Sequence, residues 1–216
     1  MSNIIILNNN TPSVQYLCSK DKRLAKVISM VGSIQYSPYI DNAYSFLIHE
    51  IIEQMLSIKA GQKIYERLIE LCDGQIIPEK INTLSDKDIR STGTSTAKVT
   101  YIRNITKAYQ DGRINLNALR ELSDEEIIIK LTDIRGVGNW TAKMFLIFVL
   151  NRPDVLPYED SAFIQAYSWA YKTTDLDKAS IEKKCRKWKP YRSIASRYLY
   201  KALDAGLTKS EFHLYK

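Results

Sequence analysis

Residues 131–163 read LTDIRGVGNWTAKMFLIFVLNRPDVLPYEDSAF, and the reading of this stretch decides the fold. Apolar residues at helical spacing run into a tight turn, Ile134-Arg135-Gly136-Val137-Gly138, and a second helix starts at once at Asn139-Trp140-Thr141-Ala142. Two glycines at i and i+2 remove the Cβ atoms that would keep a partner away from the backbone. The new helix presents unpaired N–H groups and the positive end of its dipole, which together make a seat for a phosphate. Ile134 and Val137 are the apolar pegs that hold the hairpin against its two helices. A short loop follows, with a proline and two acids: Pro157-Tyr158-Glu159-Asp160.

Working outward, nearly all of the chain reads as helix. Helical periodicity covers residues 14–30. Asp41 is placed as the N-cap of a helix over 42–56, with Phe46, Leu47, Ile51 and Met55 near one face. Ser57 caps the next helix, whose Ala60, Ile64, Leu68 and Leu71 form a stripe. A short helix follows Ser85, and another runs from Ser95 through Ile102, Ile105 and Tyr109. Ser123 and Glu126 fit a capping box ahead of Ile127-Ile128-Ile129. Helices after Asn139, Asp160 and Pro190 complete the set, the last closing near Gly206. Residues 4–7 read as a short strand or an extended arm.

The chain has 216 residues, 45% hydrophobic and 25% charged, and a net charge of +7. That is enough for a real core in one domain or two joined lobes, and the charge permits an anionic partner. Residues 183–201 hold eight basic residues, Lys183, Lys184, Arg186, Lys187, Lys189, Arg192, Arg197 and Lys201, and no acid. The sequence reads them mostly as a solvated helix face, with a few tracking a phosphate backbone. Cys18, Cys72 and Cys185 are scattered, so neither a disulfide framework nor a four-cysteine cluster is readable. His49 and His213 are isolated in the sequence, so no zinc site is readable either. No apolar run reaches membrane-spanning length, and residues 4–7 are too short for a signal-sequence core.

The turn, the loop and Asp160 resemble the helix-hairpin-helix and the Gly/Pro-rich loop with catalytic Asp of the base-excision DNA glycosylases, the HhH-GPD superfamily. Residues 41–60, DNAYSFLIHEIIEQMLSIKA, resemble that family's helix, wedge loop and next helix. Residues 188–193, WKPYRS, with Ala195, Tyr198 and Leu199, resemble its C-terminal helix. The likeness spans residues 40–203 and is greatest to the 3-methyladenine DNA glycosylase II branch. The extra N-terminal sheet domain of that branch's larger bacterial members does not fit in this chain. The resemblance implies an all-α fold of two helical lobes with a cleft between them. It treats residues 1–216 as one module, with lobe one at 38–145 (hairpin at 124–150) and lobe two at 1–37 plus 146–216.

The same resemblance implies the site. Asp160 stabilises the positive charge that develops on the deoxyribose as the N-glycosidic bond breaks; N-capping of the following helix is its plain structural reading and coexists with catalysis. Glu159 is the neighbouring alternative. Trp140 stands where bifunctional relatives carry a Schiff-base lysine, so a single-step hydrolytic excision is implied; Lys143 is a weaker amine candidate. An indole face attracts the cationic ring of an alkylated purine, and Trp140, Met144 and Tyr200 form the expected base pocket. Met144 replaces a Tyr of the branch. Gln54, Met55, Leu56 and Ser57 match the wedge loop, Met55 filling the gap left by the flipped base; the alternative makes Met55 and Leu56 core. Gly136, Val137, Gly138, Asn139, Thr141 and Lys143 are the expected DNA contacts of the hairpin. The carbonyls of Thr132, Ile134 and Val137 are expected to hold a structural Na+ or K+. Residues 91–98, STGTSTAK, either bring Gly93 or Lys98 to the phosphates or form an ordinary turn.

The expected activity is that of a monofunctional glycosylase that excises 3-methyladenine- and 7-methylguanine-type bases from duplex DNA. It needs no cofactor and no iron–sulfur cluster. The expected protein is a monomer inside the cell, in the cytoplasm or nucleoid (the nucleus in a eukaryote), with no membrane partner. The competing readings are a non-catalytic helix-hairpin-helix DNA binder and a glycosylase for oxidised or mismatched bases. Asp160 and residues 188–193 speak against the first, and Trp140 against the second.

Overall fold

The computed structural model describes residues 4–215 and, at Ile58, the backbone alone. It is 64% helical, with 13 α-helices and one two-stranded sheet among the described residues. The chain divides into two compact units, one formed by Met1–Pro38 with Asn151–Lys216 and the other by Tyr39–Leu150. No helix among the described residues is long and apolar enough to cross a membrane.

The first unit opens with β1 (Ile5–Leu7), α1 (Pro12–Lys20), α2 (Lys22–Val31) and β2 (Ile34–Tyr36). The two strands pair antiparallel, Ile5 opposite Tyr36 and Leu7 opposite Ile34. The second strand is a feature the sequence reading lacks. The continuous helical periodicity over 14–30 is also corrected: the helix breaks at Asp21, which has extended backbone angles. Asp21 caps α2 by accepting from the N–H groups of Arg23 and Leu24 at 3.0 and 3.2 Å. Its other oxygen accepts from Trp188 Nε1 and Lys187 Nζ, each at 2.9 Å, and from the Tyr171 hydroxyl. A carboxylate that is 3% exposed survives burial only with such a donor set.

The second unit is built around α3 (Ala43–Glu53), which packs on α4 (Ile58–Leu71) and, past α5 (Pro78–Thr83) and α6 (Asp86–Ser91), on α7 (Thr96–Gln110). Leu47, Ile48, Ile51 and Ile52 on α3 are fully buried, each contributing about 1.5–3 kcal/mol. Apolar on most of its faces, α3 is the core helix of this unit. Asp41 does not cap it: Asp41 lies in a 3-10 turn, Ile40–Asn42, and α3 starts at Ala43 with no side-chain cap. The caps expected at Ser57 and Ser123 form, and Ser85 and Ser95 cap the helices expected to start at them. After α8 (Leu116–Arg120) come α9 (Asp124–Thr132) and α10 (Asn139–Met144), which runs on into a π-helical turn, Phe145–Val149.

The chain then returns to the first unit with α11 (Ser161–Tyr171), α12 (Lys178–Cys185) and α13 (Arg192–Asp204). The core here joins Leu17, Leu24 and Ile28 to Phe163, Trp188, Tyr198 and Leu199. Of the basic residues over 183–201, three are structural rather than phosphate-tracking. Lys187 pairs with Asp21, Arg192 pairs with Asp154, and Arg197 is 7% exposed with its guanidinium 3.8 Å above the Tyr36 ring.

Burial alone would push the Asp21 carboxyl up, but hydrogen bonds from Tyr171, Lys187, Trp188 and Leu24 outweigh it and hold the group below the usual carboxylate range. A lowered folded-state value means stability that is fully present above the unfolded value of 3.8 and lost as pH falls through the folded one. Asp21→Asn is therefore expected to cost on the order of 3 kcal/mol at neutral pH. In urea unfolding curves the gap from wild type should shrink below pH 3.8. A gap that stays constant with pH would contradict the role given to the charge.

Candidate active site

The hairpin of the second unit begins from a capped helix. The Ser123 N–H donates to Glu126 Oε2 at 2.8 Å, and the Glu126 N–H to Ser123 Oγ at 3.2 Å. The chain leaves α9 at Asp133 and tightens through a Val137 N–H to Ile134 carbonyl bond of 2.9 Å. Ile134 and Val137 are 3% and 4% exposed and act as the apolar pegs. The two glycines have different reasons. Gly136 has φ +111°, and a Cβ there would stand 2.4 Å from Tyr101 Cγ, so packing on Tyr101 demands glycine. Gly138 faces open space, with nothing within 4 Å of a Cβ placed on it. Gly138 is also the N-cap of α10 and brings no side-chain cap. The close-approach argument thus applies to Gly138 and not to Gly136.

On α10, Asn139 is exposed, Trp140 and Lys143 are half-buried, and Met144 is 4% exposed. Thr141 is fully buried, so the expected DNA contact through its side chain does not hold. Its hydroxyl accepts from Gln54 Nε2 at 3.3 Å, and the same nitrogen donates to the Gly136 carbonyl at 3.2 Å. Gln54 therefore ties the loop at residues 54–57 to the hairpin.

The loop itself is held from the other side by Lys98, whose ammonium donates to the carbonyls of Ile52 and Gln54 at 2.8 and 2.7 Å. This replaces the expected contact of Lys98 with a phosphate. Burial also pushes the Lys98 ammonium below its ordinary value. Between these anchors Met55 has φ +59° and is 101% exposed. A left-handed conformation is uncommon for such a residue, and full exposure overturns the core alternative for Met55. Leu56 is 41% exposed, and Ser57 caps α4.

In the first unit, Asp160 closes the loop that follows Asn151. It is 8% exposed, it is the N-cap of α11, and its Oδ1 accepts from the Phe163 N–H at 2.7 Å. Glu159 beside it is exposed. The loop is clamped by the start of α13. Arg192 donates from Nε to Asp154 Oδ1 at 2.7 Å and from a terminal nitrogen to Oδ2 at 2.9 Å. Ser193 Oγ accepts from the Val155 N–H at 2.9 Å, and the Ser193 N–H donates to the Pro153 carbonyl at 3.0 Å. Such a bidentate pair is strong and directional. Sequence reasoning missed this clamp; its one signal was an acid in the loop and an arginine in the WKPYRS segment. Tyr200, on the same helix, is half-buried and packs against the core.

Residues 48–190 match the family model of the HhH-GPD superfamily base excision DNA repair proteins. The chain is 30% identical over 202 residues to DNA-3-methyladenine glycosylase 1 of Schizosaccharomyces pombe, covering 91% of this chain and 89% of that protein. Among solved structures it is similar to a DNA-3-methyladenine glycosidase from Bacillus halodurans, with TM-score 0.82, 33% identity and 97% of each chain covered. It is also similar to the S. pombe 3-methyladenine DNA glycosylase in complex with abasic DNA, with TM-score 0.81, 28% identity, and 95% of this chain and 100% of that one covered. The chain belongs to the HhH-GPD superfamily of base excision DNA repair proteins.

Proposed function

We propose that the protein is a monofunctional glycosylase that acts as a monomer on duplex DNA and hydrolytically excises alkylated purines of the 3-methyladenine and 7-methylguanine type. Its class, a DNA N-glycosylase, follows from the family and from relatives named for that activity. The observation that carries the reading is Asp160, a buried carboxylate at a helix N-terminus, fixed by the Phe163 N–H and by a clamped loop. When the N-glycosidic bond breaks, the base leaves with the electron pair and positive charge grows on the sugar. A preorganised carboxylate lowers the energy of that state. Water then adds to the sugar carbon and gives up a proton, leaving an abasic site.

Trp140 is the residue at the lyase position of the hairpin helix and has no amine to form a Schiff base. Its indole face suits a base that already carries positive charge and is a good leaving group. Met144 and Tyr200 are proposed as further contacts of the base. Gly138, Asn139 and the backbone of α10's first turn are proposed to take the phosphate, and Met55 to fill the gap left by the flipped nucleotide. The carbonyls of Thr132, Ile134 and Val137 would hold a monovalent cation there. The Ile134 carbonyl already accepts the Val137 N–H, yet keeps a second lone pair, and an all-carbonyl set suits a hard ion such as Na+ or K+. When bound, such an ion would add positive charge beside the phosphate.

Incubation with methylated duplex DNA in chelator should produce alkali-labile abasic sites without strand breaks and without an adduct trapped by borohydride. Breaks before alkali, a trapped adduct, or no excision from any of a panel of lesions would overturn the reading. A second expectation separates the clamp from the wedge. Gly138→Glu puts a negative charge where the phosphate sits, so binding should fall on every DNA sequence. Met55→Ala should lower single-turnover excision while leaving the affinity for undamaged duplex and its salt dependence largely intact. Equal loss of non-specific binding in both variants would contradict the division of labour.

A further inference from the structure

We propose that His49 and Glu53, one turn apart on α3, chelate a divalent transition-metal ion, with zinc the best fit, and that Glu50 orients the imidazole. His49 turns one ring nitrogen toward each glutamate: Nε2 lies 3.4 Å from Glu53 Oε1, and Nδ1 lies 3.4 Å from Glu50 Oε1. Two ligands on a tetrahedral zinc with bonds of about 2.0–2.1 Å stand roughly 3.4 Å apart. The Nε2–Oε1 distance therefore matches the required span. A metal-bound histidine usually donates its other N–H to a carboxylate, which fixes the tautomer and turns the lone pair to the ion. Glu50, 8% exposed, stands in that place.

The surroundings favour a held site over two stray glutamates. The Tyr65 ring stands edge-on to the imidazole at 4.7 Å and 85°, fixing its plane. The α4 helix carries Gly61 where the Glu53 stem passes, since a Cβ there would stand 2.9 Å from Glu53 Cγ. The His49 and Glu53 side chains remain 32% and 25% exposed, so an ion can reach them. A cavity of about 470 Å³ beside the imidazole is lined by His49, Glu50, Tyr39, Ser45, Tyr65 and Phe148.

The location gives the site a consequence. Glu53 immediately precedes Gln54 and Met55, and its carbonyl accepts the Leu56 N–H at 3.0 Å. A bound ion would staple the last turn of α3 under the wedge loop and offset two carboxylates beside a loop that enters a polyanion. That last effect rests on the proposed DNA-repair function; the binding itself does not.

The test is calorimetric titration of Zn2+ into chelator-stripped, DNA-free protein. One equivalent should bind. His49→Gln and Glu53→Gln should each weaken binding at least tenfold with unchanged far-UV circular dichroism, and Glu50→Gln about tenfold. His213→Ala, which alters the histidine beside Glu211, should change nothing. Loading with Co2+ should give the visible bands of a four-coordinate ion in wild type and not in His49→Gln. Absence of saturable binding, binding that survives His49→Gln, or loss of binding in His213→Ala would overturn the site. Zinc binding by a protein that fails to excise methylated bases would leave this site standing and refute the repair reading alone.

Discussion

The hydrogen bond from the Phe163 N–H to Asp160 is the contact at the end of a chain of polar interactions that runs through the first unit. That carboxylate ends a loop, and loops do not hold a group to within a fraction of an ångström by themselves. The loop is fixed by Arg192 and Ser193 at the start of α13. That start is fixed in turn by Trp188, fully buried and bonded through Nε1 to Asp21. Asp21 is fixed because it caps α2. A buried carboxylate near the N-terminus is thus connected, through named contacts, to the carboxylate proposed to act on the sugar. Each link is a charged or polar group that is costly to leave unpaired, so the arrangement has little freedom to drift.

The second unit solves a different problem, which is to present a fully exposed apolar side chain on a rigid support. Gln54 ties the wedge loop to the hairpin, and Lys98 closes the carbonyls at the end of α3. Tyr101 packs into the space left by Gly136, which seats the hairpin on α7. With these anchors Met55 can stay in a strained, solvent-facing conformation. On this account the contribution of Lys98 to DNA binding is indirect: it shapes the loop and does not meet a phosphate.

Local signals in the sequence carried much of the fold. Serine caps such as Ser57 and Ser123 are short-range hydrogen bonds, legible three residues away, and both formed. The pegs Ile134 and Val137 follow from the turn itself. What stayed hidden depended on partners far along the chain. Asp21 sits in an amphipathic pattern and looks like a surface residue until Tyr171, Lys187 and Trp188 arrive. Arg192 stood in a basic run read mostly as a solvated face, and only Asp154, 38 residues away, reveals its role. Gly136 and Gly138 look alike in sequence, and only Tyr101 distinguishes them. His49 looked isolated because its partners at one and four residues' distance are glutamates, not cysteines or a second histidine.

The central claim is that Asp160 supplies electrostatic stabilisation to the reacting sugar, beyond its role as a helix cap. Single-turnover excision of a methylated purine by Asp160→Asn, measured beside binding to undamaged duplex, tests it most directly. The asparagine can still cap the helix but carries no charge. The account predicts a rate loss on the order of 10²–10³ with DNA affinity within a few fold of wild type. A folded variant that excises at close to the wild-type rate would contradict it and move the role to Glu159.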